Sequence, residues 1–167
     1  DFGTPEPVFP APRDMIKRGA TMIAASDRPI AVLGSSAMRI YDKDLLRQFI
    51  EHHQLPFMTT TMAKGLIDDD HPLALGCIER ACRQHQRALL RSADLIVGLG
   101  YDTIEVEYET WIGDVPLLQL DIESVDIAGT VDLRLEIIGK LDTALQEFLL
   151  LNGSTHKWRQ AELREHR

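Results

Sequence analysis

The sequence predicts an α/β domain: a Rossmann-like, three-layer fold with a parallel sheet of five or six strands and helices on both faces. Three observations carry this. Short, continuous apolar runs recur, each stopped by Gly or Asp, as in Ile30-Ala31-Val32-Leu33-Gly34 and Asp94-Leu95-Ile96-Val97-Gly98-Leu99-Gly100. Such runs mark strands buried on both faces. Stretches with apolar residues at helical spacing alternate with them, which argues for right-handed βαβ crossovers. The chain has 167 residues, enough for one domain with its own core.

The elements follow in order. Residues 1–12 carry Pro5, Pro7, Pro10 and Pro12 and read as an extended linker. Met15, Ile16, Ala20, Met22, Ile23 and Ala24 recur at helical spacing between Arg13 and Ser26. The first strand is Ile30 to Gly34. Leu45, Leu46, Phe49 and Ile50 then form the stripe of an amphipathic helix, with Asp42 as its N-cap. His52 and His53 at its end read as surface residues favoured by the helix dipole. Leu55 to Thr60 is the second strand. Gly65, Asp68-Asp69-Asp70, Pro72 and Gly76 mark a loop. Residues 79–92 read as a helix with Ala81, Cys82, His85, Ala88 and Leu89 inward. Asp94 to Gly100, Val115 to Asp121 and Leu133 to Ile138 are three more strands, and a helix runs from Leu141 to Leu151. Residues 152–167 are charged and read as a connector towards a further, C-terminal domain.

Composition removes several function classes. A formal net charge of −8 opposes nucleic acid and anionic membrane surfaces. No apolar run reaches the roughly 18 residues needed to span a bilayer. The two cysteines, Cys77 and Cys82, fit no zinc spacing and read as small buried hydrophobes. No signal peptide opens the sequence, which makes the cytoplasm the expected compartment. The absence of an initial Met suggests an excised or processed chain. No G-x-S-x-G elbow or Walker spacing occurs, so no catalytic set is expected.

In a parallel sheet, ligands sit beyond the carboxyl ends of the strands. The loop Gly34-Ser35-Ser36 is small enough for close backbone approach, and the helix end after it would offer N–H groups to a phosphate; it serves equally well as a ligand-free turn. Thr60, Thr61 and Met62, with Lys64, form either a polar loop or a cradle for phosphate and ribose oxygens. Gly100-Tyr101-Asp102 and Asp121-Ile122-Glu123 place carboxylates where a ribose hydroxyl or a helix N-cap would use them. Asp68-Asp69-Asp70 with His71 reads as a solvated turn, and Glu105, Glu107 and Glu109 as a solvated face.

Taken in order, five pieces resemble one family. They are Arg28-Pro29-Ile30-Ala31-Val32-Leu33-Gly34, Leu55-Pro56-Phe57-Met58-Thr59-Thr60-Thr61-Met62-Ala63-Lys64-Gly65, His71-Pro72-Leu73-Ala74-Leu75-Gly76, Ala93 to Gly100, and Leu118-Gln119-Leu120-Asp121-Ile122-Glu123. The succession, over about residues 12–151, is similar to the central domain of thiamine-diphosphate-dependent enzymes of the acetolactate synthase, pyruvate oxidase and oxalyl-CoA decarboxylase type. The resemblance implies a domain, residues 13–151, that is not catalytic by itself. Thiamine diphosphate and Mg2+ would be bound by N- and C-terminal domains of a full-length chain, which would be a homo-oligomer, dimer or tetramer. It also implies that Gly34, Ser35, Ser36, Thr60, Thr61, Met62, Gly76, Gly100, Tyr101, Asp121 and Glu123 line a site where several members bind FAD or ADP. Ser35-Ser36 stand where flavin binders carry glycines, Asp102 brings negative charge, and Lys140 follows Gly139 where an Asp is usual. These departures point to weakened or absent FAD binding, with ADP open. The alternative is a stand-alone FAD/ADP-binding or regulatory module.

Overall fold

The computed structural model describes residues 9–78, 83–100, 111–124 and 131–166. Six strands form one all-parallel sheet: β1 (Pro29–Leu33), β2 (Phe57–Thr59), β3 (Ala74–Cys77), β4 (Leu95–Leu99), β5 (Leu117–Asp121) and β6 (Leu133–Ile138). The spatial order is β3-β2-β1-β4-β5-β6. Leu33 pairs with both Thr59 and Leu99, and Leu99 with Leu120. These strand ends therefore finish level with one another, and their exit loops gather along one rim. The helices are α1 (Arg13–Ala25), α2 (Lys43–His52), α3 (Arg83–Arg91), α4 (Leu141–Leu149) and α5 (Gln160–Glu165).

Central strands β1, β4 and β5 are buried at every position, as their unbroken apolar runs require. Both α1 and α2 pack against α4. The Leu45, Leu46, Phe49 and Ile50 stripe of α2 is buried, worth about 1.5–3 kcal/mol for each large side chain. Asp42 caps the helix, accepting from the Asp44 N–H at 3.1 Å. Gly19 lets α1 approach the sheet: a Cβ there would lie 2.9 Å from Ile137 Cδ1 and 3.1 Å from Phe148. The connection from β3 back to β4 crosses the sheet in the opposite sense to that from β1 to β2. The right-handed rule then places α3 on the face opposite α2.

Three expectations need correction. The loop predicted through Gly76 contains an edge strand, β3. Its pairing with β2 slips between Phe57↔Ala74 and Thr59↔Cys77, so three intervals of β3 oppose two of β2. Gly76, at φ +94°, takes up this bulge, as glycine does where a left-handed residue is needed. His53 is not a surface residue: it is fully buried, with its ring 5.1 Å from Phe49 and 5.8 Å from Phe148. On α3 the inward residues are Gln86, Leu89 and Leu90, while His85 and Ala88 are exposed. Ala81 and Cys82 lie outside the described residues; Cys77 is half-buried and unbridged.

The amino-terminal end of the sheet is tied by Asp94, one residue before β4. Its carboxylate accepts from the Ser26 hydroxyl and from the Asp27 and Arg28 amides at 2.7 and 2.9 Å. Partial burial pushes this carboxyl up, but the Ser26, Asp27 and Arg28 donors outweigh that and hold it below the usual carboxylate range. The C-terminal residues, read as a connector, pack across the same end: Leu163 is 1% exposed, and Arg28 pairs with Glu162 at 2.6 Å.

Candidate functional site

The chain winds outwards from β1 to β2 and β3 on one side, then from β4 to β5 and β6 on the other. The topological switch point therefore lies between the exits of β1 and β4, where such sheets bind ligands. The sequence places Gly34-Ser35-Ser36 at one of these exits and Gly100 at the other.

Their backbones are locked together. The Gly34 N–H donates to Leu99 O at 2.8 Å, and the Ser36 N–H donates to Gly100 O at 2.9 Å. Gly100 sits at φ +65°, and a Cβ there would lie 2.2 Å from Ala37 N. Only glycine allows both the turn and this contact. Strand β1 leads into a single 3-10 turn, Ser35–Arg39, before α2 starts at Lys43. The Ser36 and Ala37 amides of that turn are spent on Gly100 O and Gly34 O. This corrects the expectation of free N–H groups for a phosphate: both point into the protein's own carbonyls.

Beside β1, the Thr60 N–H donates to Leu33 O at 2.9 Å and Thr60 is buried, whereas Thr61 and Met62 on the following 3-10 turn (Thr61–Ala63) are exposed. The two 3-10 turns touch one another. Met38, Tyr41 and Met62 are 49%, 94% and 59% exposed, giving this rim an apolar surface. Gly76 lies within edge strand β3, serving its bulge. Tyr101, Asp102 and Thr103 fall outside the described residues.

Asp121 ends β5. It is 2% exposed and accepts from the Ile122 N–H at 2.6 Å. Burial pushes its carboxyl up to about 6; the Ile122 amide works against the rise and nearby Glu123 adds to it. Glu123 itself is exposed. Sequence reasoning missed Asp142, on the first turn of α4. It is 9% exposed, and its two oxygens accept from the Tyr41 N–H at 2.8 and 2.9 Å, bracing the lead-in to α2. Its position two residues after Lys140 was the available signal.

Among the described residues, no group of three or more His, Cys, Asp or Glu side chains converges to hold a metal. No helix among them is long and apolar enough to cross a membrane.

Strand order and the switch point between β1 and β4 define a Rossmann-like α/β domain. The chain belongs to the family of thiamine pyrophosphate enzyme central domains, whose model matches residues 16–148. It is 29% identical over 145 residues to oxalyl-CoA decarboxylase of Escherichia coli K12, covering 85% of this chain and 24% of that one. It is 26% identical over 137 residues to a probable acetolactate synthase large subunit of Methanococcus aeolicus, covering 80% and 23%. With mouse 2-hydroxyacyl-CoA lyase 1 it shares 27% over 152 residues, covering 87% and 24%. The fold matches the crystal structure of benzoylformate decarboxylase from Polynucleobacter necessarius with a TM-score of 0.71 at 21% identity, covering 95% of this chain and 30% of that one. The chain spans about a quarter of the length of the curated relatives it matches.

Proposed function

We propose that this domain serves a thiamine-diphosphate-dependent decarboxylase or carboligase acting on a 2-oxo acid, makes no bonds itself, and keeps a rim suited to ADP rather than FAD. The relatives are about four times as long as the matched stretch, which supports further domains in one polypeptide; the same reading places catalytic domains on both sides and a homo-oligomer in the cytoplasm. This reading places thiamine diphosphate and Mg2+ outside the domain: no G-D-G triplet occurs in the sequence, and among the described residues no group of three or more His, Cys, Asp or Glu side chains converges. No step of the chemistry is assigned to it. The whole enzyme would use the cofactor to stabilise a carbanion equivalent after loss of carbon dioxide.

The observation carrying the nucleotide reading is Asp121. A buried carboxylate at the end of a strand next to the switch point suits a ribose hydroxyl, and a donated hydroxyl would relieve its desolvation. The spent Ser36 and Ala37 amides weaken any diphosphate contact at the first turn, for FAD and ADP alike; the preference against FAD rests on Ser35-Ser36 standing where flavin binders carry glycines. Exposed Met38 and Met62 offer a flat apolar seat for a base.

Calorimetric titration tests this. ADP should bind saturably, and Asp121→Ala should weaken it about tenfold or more, the loss expected for a hydrogen bond to a charged group. FAD should show no saturation. Absence of ADP binding at millimolar concentration would leave a purely structural domain. Tight FAD binding would reverse the order proposed here.

A further inference from the structure

The amino-terminal end of the sheet, opposite the rim, holds three histidines: His52, His53 and His156. After α4 the chain crosses the end of α2. The Ser154 N–H donates to His52 O at 3.2 Å and the Lys157 N–H to Asp27 O at 2.8 Å. Gly153 comes so close that a Cβ would lie 2.5 Å from His52 O. Between these points stands His156, half-buried. Its Nδ1 lies 2.8 Å from Ser26 O and its Nε2 2.7 Å from His53 O. A carbonyl oxygen only accepts, so both contacts are hydrogen bonds only when both ring nitrogens carry protons. A neutral ring would turn a lone pair on one of the two oxygens.

His53 has the opposite demand. Its Nδ1 is 3.3 Å from the Ser154 hydroxyl, while its buried Nε2 reaches no partner among the described residues. Phe49 and Phe148 flank the ring. A second proton would put a charge there with no acceptor. Burial, with His52 and His156 nearby, pushes this histidine down to about 4. Release of residues 154–157 would open the ring to water and free it to protonate.

We propose that His53 makes residues 154–157 a pH-gated latch over the end of α2, closed near neutrality and loosened by acid. In the closed state the buried His53 ring stays neutral, because its Nε2 has no acceptor among the described residues. In the open state, with the ring in water, it takes up a second proton below the usual histidine range near ~6.5. Acid therefore favours the open state. The charged groups facing the latch are Asp27, paired with Lys157 at 3.0 Å, Asp94, and Arg28 with Glu162. Asp94 and Glu162 are held below the usual carboxylate range by their donors. His52 lies beside the ring, its Nε2 2.6 Å from Leu151 O. Beyond the latch, Trp158 donates Nε1–H to Pro29 O at 2.9 Å beneath the Arg28 guanidinium. The opening is thus a local loosening, not loss of the whole C-terminal segment. The latch stands whether or not the rim binds a nucleotide.

Amide hydrogen exchange on the complete chain from pH 5 to 8.5, corrected for intrinsic rates, tests it. Protection of the Ser154 and Lys157 amides should hold near neutrality and fall below roughly pH 6.5 by up to about tenfold per pH unit, the limit for one linked proton, while β4 amides stay constant. His53→Gln should remove the acid fall. Ring nitrogen NMR of the unmodified chain should show His53 still neutral at about pH 6 while the latch is closed. Flat protection across the range, a His53→Gln profile like the parent's, or a doubly protonated His53 ring at about pH 6 with the Ser154 and Lys157 amides still protected would overturn the proposal.

Discussion

Glycines with similar backbone angles do different work here, and substitution should separate them. Gly100 (φ +65°) and Gly76 (φ +94°) both occupy the left-handed region. A Cβ on Gly76 meets nothing within 4 Å, whereas one on Gly100 collides with the Ser36 and Ala37 backbone. Gly76→Ala should therefore cost only the backbone preference, about 1 kcal/mol. Gly100→Ala must also break the β1–β4 junction and should cost about 3 kcal/mol or more. Urea unfolding of the two variants checks this; equal losses would mean that the Gly100 contact does not hold in solution. Gly100 was a site candidate as the stop of an apolar run, Gly76 only through the family resemblance. Neither the close approach at Gly100 nor the bulge at Gly76 can be read from residue type, since each depends on a neighbouring strand.

At the scale of elements, the sequence was most legible where one chain segment decides the outcome. The runs forming β1, β4 and β5 are apolar at nearly every position, and the α2 stripe has helical period, so burial and element type come directly from the pattern. β3 was hidden because Pro72 and Gly76 punctuate it as a loop, and only pairing with β2 makes it a strand. His53 was misjudged because a helix C-terminus suits an exposed cation, yet the residues packing on it, Phe148 and Ser154, are about a hundred positions away. The rim was half legible. Strand ends named Gly34, Thr60, Gly100 and Asp121, but not that the 3-10 turn after β1 would consume its own amides. For α2 itself, Leu46→Ala should cost about 2–5 kcal/mol, as for other fully buried leucines. Its side chain is 0% exposed, and thermal unfolding would report the loss. A change under 1 kcal/mol would show that α2 is not anchored in the core.

For the whole molecule, two buried titrating groups pull stability in opposite directions. Asp121 sits near 6 when folded, against roughly 3.9 in an unfolded chain. The folded state therefore holds the extra proton between those values. The cost of the buried charge is complete above about pH 6 and disappears towards pH 4. His53 sits near 4 when folded, against roughly 6.5 unfolded. There the unfolded state holds the extra proton, so stability is full above pH 6.5 and is lost as pH falls through 4. Each effect is worth roughly 2–3 kcal/mol, so their sum should be nearly flat between pH 4.5 and 6.5. Asp121→Asn should unmask a decline towards acid, and His53→Gln a rise. Unfolding free energies measured across this range would contradict the assignment if both variants kept the parent's slope.

The central claim is that the exits of β1, β2, β4 and β5 form one adenine-nucleotide rim on a domain that does no chemistry. An amide chemical-shift map of the chain titrated with ADP tests it most directly. Saturable changes should cluster at Ser36, Thr60, Gly100 and Ile122. Changes confined to the opposite end of the strands, around Asp94 and Val115, or none at millimolar ADP, would contradict it.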